Sequence, residues 1–249
     1  MEEIGRNRKR YGLVGRNISY SFSKGYFSKK FKDLGLKGYS YENFDLGSIS
    51  ELSNVIGQNN LHGLNVTIPY KQEILPFLDD LEEEAKAIGA VNTIKFVNNK
   101  LVGYNTDAHG FQQSLIPLLG KPHTKALILG TGGASKAVAF VLHCLNIDLT
   151  YVSRSPKEGQ LHYTQLRREH LQAYKLIINC SPVGTYPRVH EKPDIPYAFV
   201  SKAHILYDLI YNPQETAFLT EGKNRGATIQ NGWLMLQLQA EKAWEIWNA

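Results

Sequence analysis

Short apolar runs alternate along this chain with amphipathic stretches at helical spacing, and this alternation constrains the fold more than any other feature. Runs such as "RYGLVG" and "KALILG" predict strands, whereas "SKGYFSKKFKDLG" and "QETAFLTEGKNRG" predict helices. Strands that alternate with helices in this way are typical of parallel sheets joined by helical crossovers. The sequence therefore predicts an α/β protein.

A second cycle of this pattern starts near residue 106, so the 249 residues predict two α/β units. One segment, "VNTIKFVNNKLVGYN", departs from the alternation. It predicts a hairpin that turns near Asn98 and Asn99, because asparagine tolerates the backbone angles of tight turns.

Charge and hydropathy restrict the classes of partner. Lys and Arg outnumber Asp and Glu by 28 to 23, yet the one dense basic run is "RNRKR" at residues 6–10, which predicts a solvated leader. No basic residues with interleaved aromatic side chains recur elsewhere, so no nucleic-acid partner is expected. The apolar stretches are too short to cross a bilayer, and no membrane partner is expected either.

The cysteines and histidines carry no metal-binding pattern. Cys144 and Cys180 lie far apart in apolar segments, which predicts reduced core thiols in a cytoplasmic protein. The first residues lack the apolar core of a secretory signal. His62, His109 and His143 show no ligand spacing, so we predict no metal site.

The stretch "ALILGTGGASKA" places a glycine-rich turn between a buried strand and a helix. A dinucleotide site needs this context, because the backbone must approach a pyrophosphate at the positive end of a helix. We therefore predict that Gly130, Gly132, Gly133 and Ala134 bind a cofactor, with a plain turn as the alternative. Ser135 stands at the third glycine position of the usual pattern.

The following strand, "LTYVSR", indicates which dinucleotide is bound. NAD sites usually carry an acidic residue at this strand end, but here the chain offers Ser153, Arg154, Ser155 and Lys157. These groups suit a 2′-phosphate, which predicts NADP. A solvated arginine in a loop is the alternative.

Polar residues end two further strands. In "HGLNVTIPYK", Leu64, Val66 and Ile68 alternate with polar residues until Pro69 stops the strand, and Lys71 follows. In "GYNTDAHGF", Asp107 follows a second strand end. Ligands bind at the carboxyl ends of strands in α/β sheets, so Lys71 and Asp107 are candidates for a proton-transfer pair. A surface ion pair is the alternative.

Several segments together resemble one family. In order, "GLNVTIPYK", "GAVNTI", "GYNTDAHGF", "GTGGASKA" and "NGWLMLQLQA" are similar to shikimate dehydrogenases, and "YGLVGRNISYSFSKGYF" fits the first strand and Ser-x-Ser segment of that family. The resemblance covers essentially the whole chain. It implies an NADP-dependent enzyme that interconverts 3-dehydroshikimate and shikimate in aromatic amino-acid biosynthesis.

The resemblance also implies a role for each matched residue. Lys71 and Asp107 match the catalytic pair, and Ser21 and Ser23 match the serines that hold the substrate carboxylate. Asn65, Thr67 and Asn92 match residues that bind ring hydroxyls or position Lys71. Tyr211 and Gln239 match residues that contact the substrate, and Gly232 matches a position near the nicotinamide.

The same resemblance implies the domain organisation. Residues 1–105 with 232–249 are expected to form the substrate-binding domain, and residues 106–231 a Rossmann-like NADP-binding domain. The C-terminal helix would return to the first domain, with Trp233, Met235, Trp244 and Trp247 in the core or docking the helix. A monomer or a homodimer is expected.

The chain departs from the family pattern in places, and other functions stay open. Asn17 and Tyr20 replace the Pro and His that commonly precede the Ser-x-Ser segment, and Glu158 replaces a basic residue after Arg154. A quinate dehydrogenase that uses NAD is one alternative function. A non-catalytic redox sensor that binds NADP is another.

Overall fold

The computed structural model describes residues 8–19 and 21–249, so Tyr20 and part of the basic run at residues 6–10 lie outside the described residues. The chain divides into two compact units. The first comprises residues up to Thr106 together with Ala240–Ala249, and the second comprises Asp107–Gln239. Each unit contains a six-stranded sheet flanked by helices, which confirms the predicted α/β fold of two units. No helix among these residues is both long and apolar enough to cross a bilayer.

The elements are numbered here in chain order. The strands are β1 (Lys9–Gly15), β2 (Tyr39–Asp45), β3 (Leu61–Val66), β4 (Asp80–Leu81), β5 (Thr93–Val97), β6 (Lys100–Tyr104), β7 (Lys125–Leu129), β8 (Asp148–Ser153), β9 (Leu161–His162), β10 (Leu176–Asn179), β11 (Ile205–Asp208) and β12 (Thr228–Gln230). The helices are α1 (Phe22–Asp33), α2 (Leu52–Asn59), α3 (Glu83–Ile88), α4 (Thr106–Leu115), α5 (Gly133–Cys144), α6 (Arg168–Ala173), α7 (Ala217–Lys223) and α8 (Trp233–Asn248).

The sheet of the first unit is mixed and has the order β2-β1-β3-β5-β6-β4. β1 runs parallel to β2 and β3, whereas β5 is antiparallel to β3 and β6. The predicted hairpin is confirmed: Asn98 and Asn99 join β5 to β6 with φ of 49° and 63°. Two successive positive φ values are typical of the tightest hairpin turn, whose twist matches that of the strands.

The central strand β3 does not show the predicted alternation. Leu64, Asn65 and Val66 are all buried, the strand ends at Val66, and Ile68 is 72% exposed. Leu64 and Val66 belong to one apolar cluster, while Asn65 contacts Tyr41 of another. Both faces of this strand are covered, so its residues are buried continuously, and an alternating sequence pattern does not predict which of them are exposed.

The second sheet is entirely parallel and has the order β12-β11-β10-β7-β8-β9. Its central strands are buried along their whole length, as expected for strands covered by helices on both faces. The sequence patterns did not predict β9, β12 or α6, which are short. All carboxyl ends of these strands meet at one edge, where dinucleotides bind in folds of this type.

The last turns of α8 belong to the first unit from Ala240 on, so the C-terminal helix returns there as predicted, whereas its first residues belong to the second unit. Ala240, Ala243 and Trp247 join an aromatic cluster with Phe27 and Tyr11. The Trp247 indole Nε1 donates to the carbonyl of Ile94 at 3.0 Å. The same indole occupies the space beside Gly63 that a side chain would fill, since a Cβ on Gly63 would lie within 2.6 Å of the indole. Only glycine allows this helix to pack so closely on β3.

Two predicted core residues are exposed instead. Trp233 is 44% exposed at the start of α8, and Cys144 is exposed at the end of α5. Both predictions were wrong because each residue lies at a helix end, where the apolar stripe of the helix no longer faces the sheet. Cys180 is half-buried, and burial raises the pKa of its thiol.

Tyr11 provides a test of this packing. Its hydroxyl is buried in the aromatic cluster and has no hydrogen-bond partner among the described residues. An unpaired buried hydroxyl costs about 1–3 kcal/mol, so Tyr11→Phe is expected to raise the free energy of unfolding, by about 1 kcal/mol. Urea unfolding of the two proteins measures the change. A lower stability of the variant would show that the hydroxyl has a partner in solution.

Candidate active site

The carboxyl ends of β1 and β3 lie side by side in the first unit and position the Lys71 segment. Thr67 N donates to the carbonyl of Val14 at 2.9 Å, and Arg16 N donates to the carbonyl of Ile68 at 3.1 Å. Beyond the turn, the carbonyl of Lys71 accepts from Val91 N at 2.8 Å. The half-buried Lys71 is thus attached through its backbone to the chain just before β5.

Asn65 uses its side-chain amide within the protein. Its Oδ1 accepts from the Tyr41 hydroxyl at 2.7 Å, and its Nδ2 donates to the carbonyl of Asn92 at 3.3 Å and to Thr93 Oγ1 at 3.1 Å. The residue is only 4% exposed. The amide of Asn65 is thus bonded within the protein, which disfavours contact with a ring hydroxyl. The other predicted role, positioning of Lys71, stays a prediction.

Asn92 joins the ends of β3 and β6. Its Oδ1 accepts from Thr106 N at 2.7 Å, and its Nδ2 donates to Thr106 Oγ1 at 3.0 Å. Asn105 Nδ2 donates to the carbonyl of Ala90 at 2.8 Å. These buried bonds hold the chain where α4 begins, and Asp107 is the next residue. Asp107 is 6% exposed and stands in the first turn of α4, where the helix dipole favours a carboxylate.

The predicted carboxylate-binding serines stand at the start of α1. Ser21 is the N-cap of this helix, and its Oγ accepts from Ser23 N at 3.1 Å. Ser21 is half-buried and Ser23 is buried. The Ser21 hydroxyl keeps its own proton available for a further acceptor, because in the cap it only accepts.

An asparagine and an aspartate shape the loop before these serines. Asn17 adopts φ of 57°, a backbone conformation that asparagine tolerates better than most residues. The carboxylate of Asp45, at the end of β2, accepts from Asn17 N at 2.8 Å and from Ile18 N at 3.2 Å. Asp45 therefore holds this loop, in which Asn17 replaces the proline of the family pattern.

The glycine loop of the second unit has the geometry predicted for it. Gly130 has φ of +104°, and a Cβ there would lie 3.2–3.3 Å from the backbone of Cys180 and Ser181. Gly132 is the N-cap of α5, and a Cβ there would meet nothing within 4 Å. The loop thus leaves open space in front of the helix N-terminus, as an anionic ligand requires. Ser135 bonds back to the carbonyl of Gly132 through its hydroxyl at 2.7 Å.

The basic segment after β8 lies next to this loop. β8 pairs with β7 in parallel, and Gly130 N donates to the carbonyl of Val152 at 2.9 Å. Beyond Ser153, Arg154, Ser155 and Lys157 are exposed. The segment folds into a local turn in which Ser155 N donates to Ser153 Oγ at 3.1 Å. The predicted cofactor residues thus share one edge of the second sheet.

The other predicted residues of the second unit lie after β11 and β12. Gly232 N donates to the carbonyl of Ile210 at 3.0 Å, and a Cβ on Gly232 would lie 2.1 Å from the carbonyl oxygen of Leu209. The neighbouring Tyr211 ring lies 6.3 Å from that of Trp233. Gln239 is buried on α8, where Gly110 of α4 allows close helix packing.

A buried aspartate holds the segment before Tyr211. The Asp208 carboxyl accepts from Asn179 Nδ2 at 3.0 Å, from Ile210 N at 3.0 Å and from Thr216 Oγ1 at 2.7 Å. Burial raises the pKa of Asp208 to about 7, because its effect is larger than that of the three hydrogen bonds, which lower the pKa.

This aspartate predicts a pH dependence of stability. Between pH 4 and 7 folded Asp208 keeps a proton that it loses on unfolding, because its unfolded pKa is about 3.9. Its contribution to stability is therefore complete below about pH 4 and is lost as the pH rises through about 7. From pH 5 to pH 8, the melting temperature of the wild type should fall relative to that of Asp208→Asn. A constant difference would contradict this assignment.

Sequence patterns did not single out Tyr41, Asp45, Thr93 or Asp208. The one available signal was polar groups within buried strands or at their ends, since such groups need partners. The partners themselves are far away in the chain: Tyr41 and Asn65 are 24 residues apart.

Comparison with known proteins agrees with this arrangement. Residues 13–94 match the family model described as the shikimate dehydrogenase substrate binding domain. A protein of Methanococcus maripaludis named shikimate dehydrogenase (NADP(+)) is 38% identical, over 98% of this chain and 93% of its own length.

Two solved structures also match almost throughout. Shikimate dehydrogenase from Aquifex aeolicus is 32% identical with a TM-score of 0.86, covering 98% of this chain and 93% of that one. The enzyme from Thermus thermophilus, solved with NADP(H) and shikimate, is 30% identical with a TM-score of 0.85, covering 96% and 93%. The resemblance predicted from the motifs is confirmed, and the chain belongs to the shikimate dehydrogenase family.

Proposed function

We propose that this protein is an NADP-dependent shikimate dehydrogenase, which reversibly reduces 3-dehydroshikimate to shikimate. The observation that carries the proposal is the bonding of residues 91–93 to two polar segments. Val91 N bonds to the carbonyl of Lys71, and the side chain of Asn92 bonds to Thr106, which directly precedes Asp107. The names of its relatives support the same activity.

Lys71 is proposed as the proton donor. Its ammonium protonates the oxygen of the substrate ketone as that oxygen gains negative charge, and takes the proton back in the reverse reaction. Asp107 is proposed to orient this ammonium and to accept from a neighbouring substrate hydroxyl, a role taken from the family resemblance.

The remaining polar groups of the first unit are proposed to recognise the substrate. Ser21 and Ser23 donate to the carboxylate, and Thr67 binds a ring hydroxyl. The amide of Asn92 bonds within the protein, as that of Asn65 does, so a contact of Asn92 with a ring hydroxyl rests on the family resemblance alone. A site built to bond these hydroxyls discriminates against analogues that lack them, because its own buried groups would then be unpaired. The substrate contacts of Tyr211 and Gln239 rest on the family resemblance alone.

The second unit fits the cofactor. The open space before Gly132 and the N-terminus of the twelve-residue α5 suit a pyrophosphate, and exposed Arg154 suits a 2′-phosphate. NADPH, when bound, supplies the hydride. The backbone of the glycine loop holds the phosphates, and the place of Gly232 near the nicotinamide rests on the family resemblance.

Nicotinamide absorbance tests the proposal directly. Purified protein is offered shikimate or quinate, each with NADP or NAD. Fast turnover with shikimate and NADP alone is the expected result. Turnover with quinate or NAD would keep the family and change the specificity, whereas folded protein inactive with every pair would favour the NADP-binding redox sensor.

A further inference from the structure

Arg16 binds the turn that leads to Lys71 at two points, and the proposed mechanism gives it no role. It follows β1 directly, and its backbone N donates to the carbonyl of Ile68 at 3.1 Å. Its side-chain Nε donates to the hydroxyl of Tyr70 at 3.2 Å. Tyr70 is the residue before Lys71, so both contacts are made with the short segment that carries the proposed proton donor.

The hydroxyl of Tyr70 is held from two sides. Tyr70 is fully buried in an apolar cluster of the first unit, and its hydroxyl donates to the carbonyl of Leu46 at 2.6 Å. A tyrosine hydroxyl has one proton, so towards any further partner it acts as an acceptor. Arg16 fits this acceptor, because a guanidinium can only donate. The two bonds at the Tyr70 oxygen are therefore compatible with each other.

The guanidinium of Arg16 also binds the loop that follows β2. Its Nη2 donates to the carbonyl of Gly47 at 2.5 Å, and this loop also contains the Leu46 carbonyl that accepts from Tyr70. Leu46 N donates to the carbonyl of Gly15, at the end of β1, at 2.9 Å. One side chain thus joins the segments that follow β1, β2 and β3, three parallel neighbours in the sheet, at the edge where ligands bind.

We propose that Arg16 is a positioning residue for catalysis, which acts through Tyr70 to hold the turn and to keep the ammonium of Lys71 at the reacting oxygen. This inference rests on the proposed function. A reacting group that is misplaced by about 1 Å can cost about 100-fold in rate. Binding of the substrate carboxylate is assigned to Ser21 and Ser23, so Arg16 is expected to affect the chemical step and not the affinity for shikimate.

The variant Arg16→Met tests the inference, because it keeps an unbranched side chain and removes the donors. The single-turnover rate of shikimate oxidation, followed by nicotinamide absorbance, is expected to fall roughly 3- to 10-fold, the equivalent of one hydrogen bond. The calorimetric Kd values for shikimate and NADP should change less than about 2-fold. An unaltered rate would overturn the inference. A weaker affinity for shikimate with the wild-type rate would also overturn it, since Arg16 would then bind the substrate.

Arg10→Met is the matched control. Arg10 lies near the amino end of the same strand, about 20 Å from Arg16 along an extended chain, and forms an ion pair with Glu42. The substitution removes the same charge from the same sheet, and its single-turnover rate should equal that of the wild type. Equal losses of rate in the two variants would attribute the effect to charge and overturn the inference. Equal losses of rate and of both affinities in Arg16→Met, with a lower melting temperature, would assign Arg16 a purely structural role.

Two double-mutant cycles test the route from Arg16 to Lys71. In a protein that already carries Lys71→Ala, Arg16→Met should lower the rate no further, because the group that it positions is absent. In a protein that carries Tyr70→Phe, which keeps the ring and removes the hydroxyl, Arg16→Met should again have no further effect. Effects that multiply in either cycle would overturn the inference.

The same measurements separate this inference from the proposed function. Wild-type protein that neither binds nor turns over shikimate overturns both, and a Lys71→Ala variant with the wild-type rate overturns the role of Lys71 together with that of Arg16. Wild-type protein that turns over shikimate, beside an Arg16→Met variant with the same single-turnover rate, overturns only the role of Arg16.

Discussion

Replacing Lys71 with alanine is expected to lower kcat for shikimate oxidation by roughly 10²–10⁴-fold, the usual worth of general acid–base catalysis. The proton of the substrate hydroxyl would then have no acceptor in place as the hydride leaves. KM should change far less, because Ser21 and Ser23 still bind the carboxylate and Thr67 still binds a ring hydroxyl. Steady-state kinetics with NADP and varied shikimate separates the two constants.

A lysine elsewhere in the same unit provides the control. Lys86 is exposed on α3, and Lys86→Ala removes the same charge without touching the polar strand ends. Its kinetic constants should equal those of the wild type. A Lys71→Ala variant that loses affinity for shikimate and keeps kcat would show that Lys71 binds the substrate and transfers no proton.

Replacing Arg154 with glutamate is expected to change cofactor preference. A charge-assisted bond to the 2′-phosphate is worth about 1.5–3 kcal/mol, so KM for NADP should rise roughly 10- to 100-fold. The new carboxylate can accept from the 2′-hydroxyl of NAD, so KM for NAD should stay the same or fall. Initial rates with each cofactor at saturating shikimate measure both effects.

Lys202→Glu is the matched control for this change. Lys202 is exposed before β11, at the amino edge of the sheet that carries Arg154 at its carboxyl edge. The substitution alters the net charge of the unit by the same amount. An equal loss of NADP affinity in both variants would attribute the effect to overall charge and remove the proposed contact of Arg154.

Local sequence was enough to predict many of the elements and the family. The hairpin follows from the tolerance of Asn98 and Asn99 for positive φ, and the cofactor loop follows from the glycines between a strand and a helix. These features depend on one residue or its near neighbours, so a short stretch of sequence contains them. The roles of Lys71 and Asp107 were assigned by motif and stay predictions.

The errors share a cause. Ile68 continues the alternation of its strand, and Trp233 and Cys144 belong to apolar helical segments, yet each of the three lies at or beyond the end of an element and is exposed. Periodicity describes a face within a helix or strand. It does not show where the neighbouring layer stops.

Only the tertiary structure revealed which polar groups meet. Tyr41 and Asn65 lie on strands separated by β1, where Tyr41 pairs with Tyr11 and Asn65 with Leu13. Their hydrogen bond depends on strand order and register, which bring together groups distant in the chain. A buried polar group without such a partner costs the folded protein about 1–3 kcal/mol of stability. The packing of the whole sheet determines which partner each group finds, and no local sequence pattern encodes that pairing.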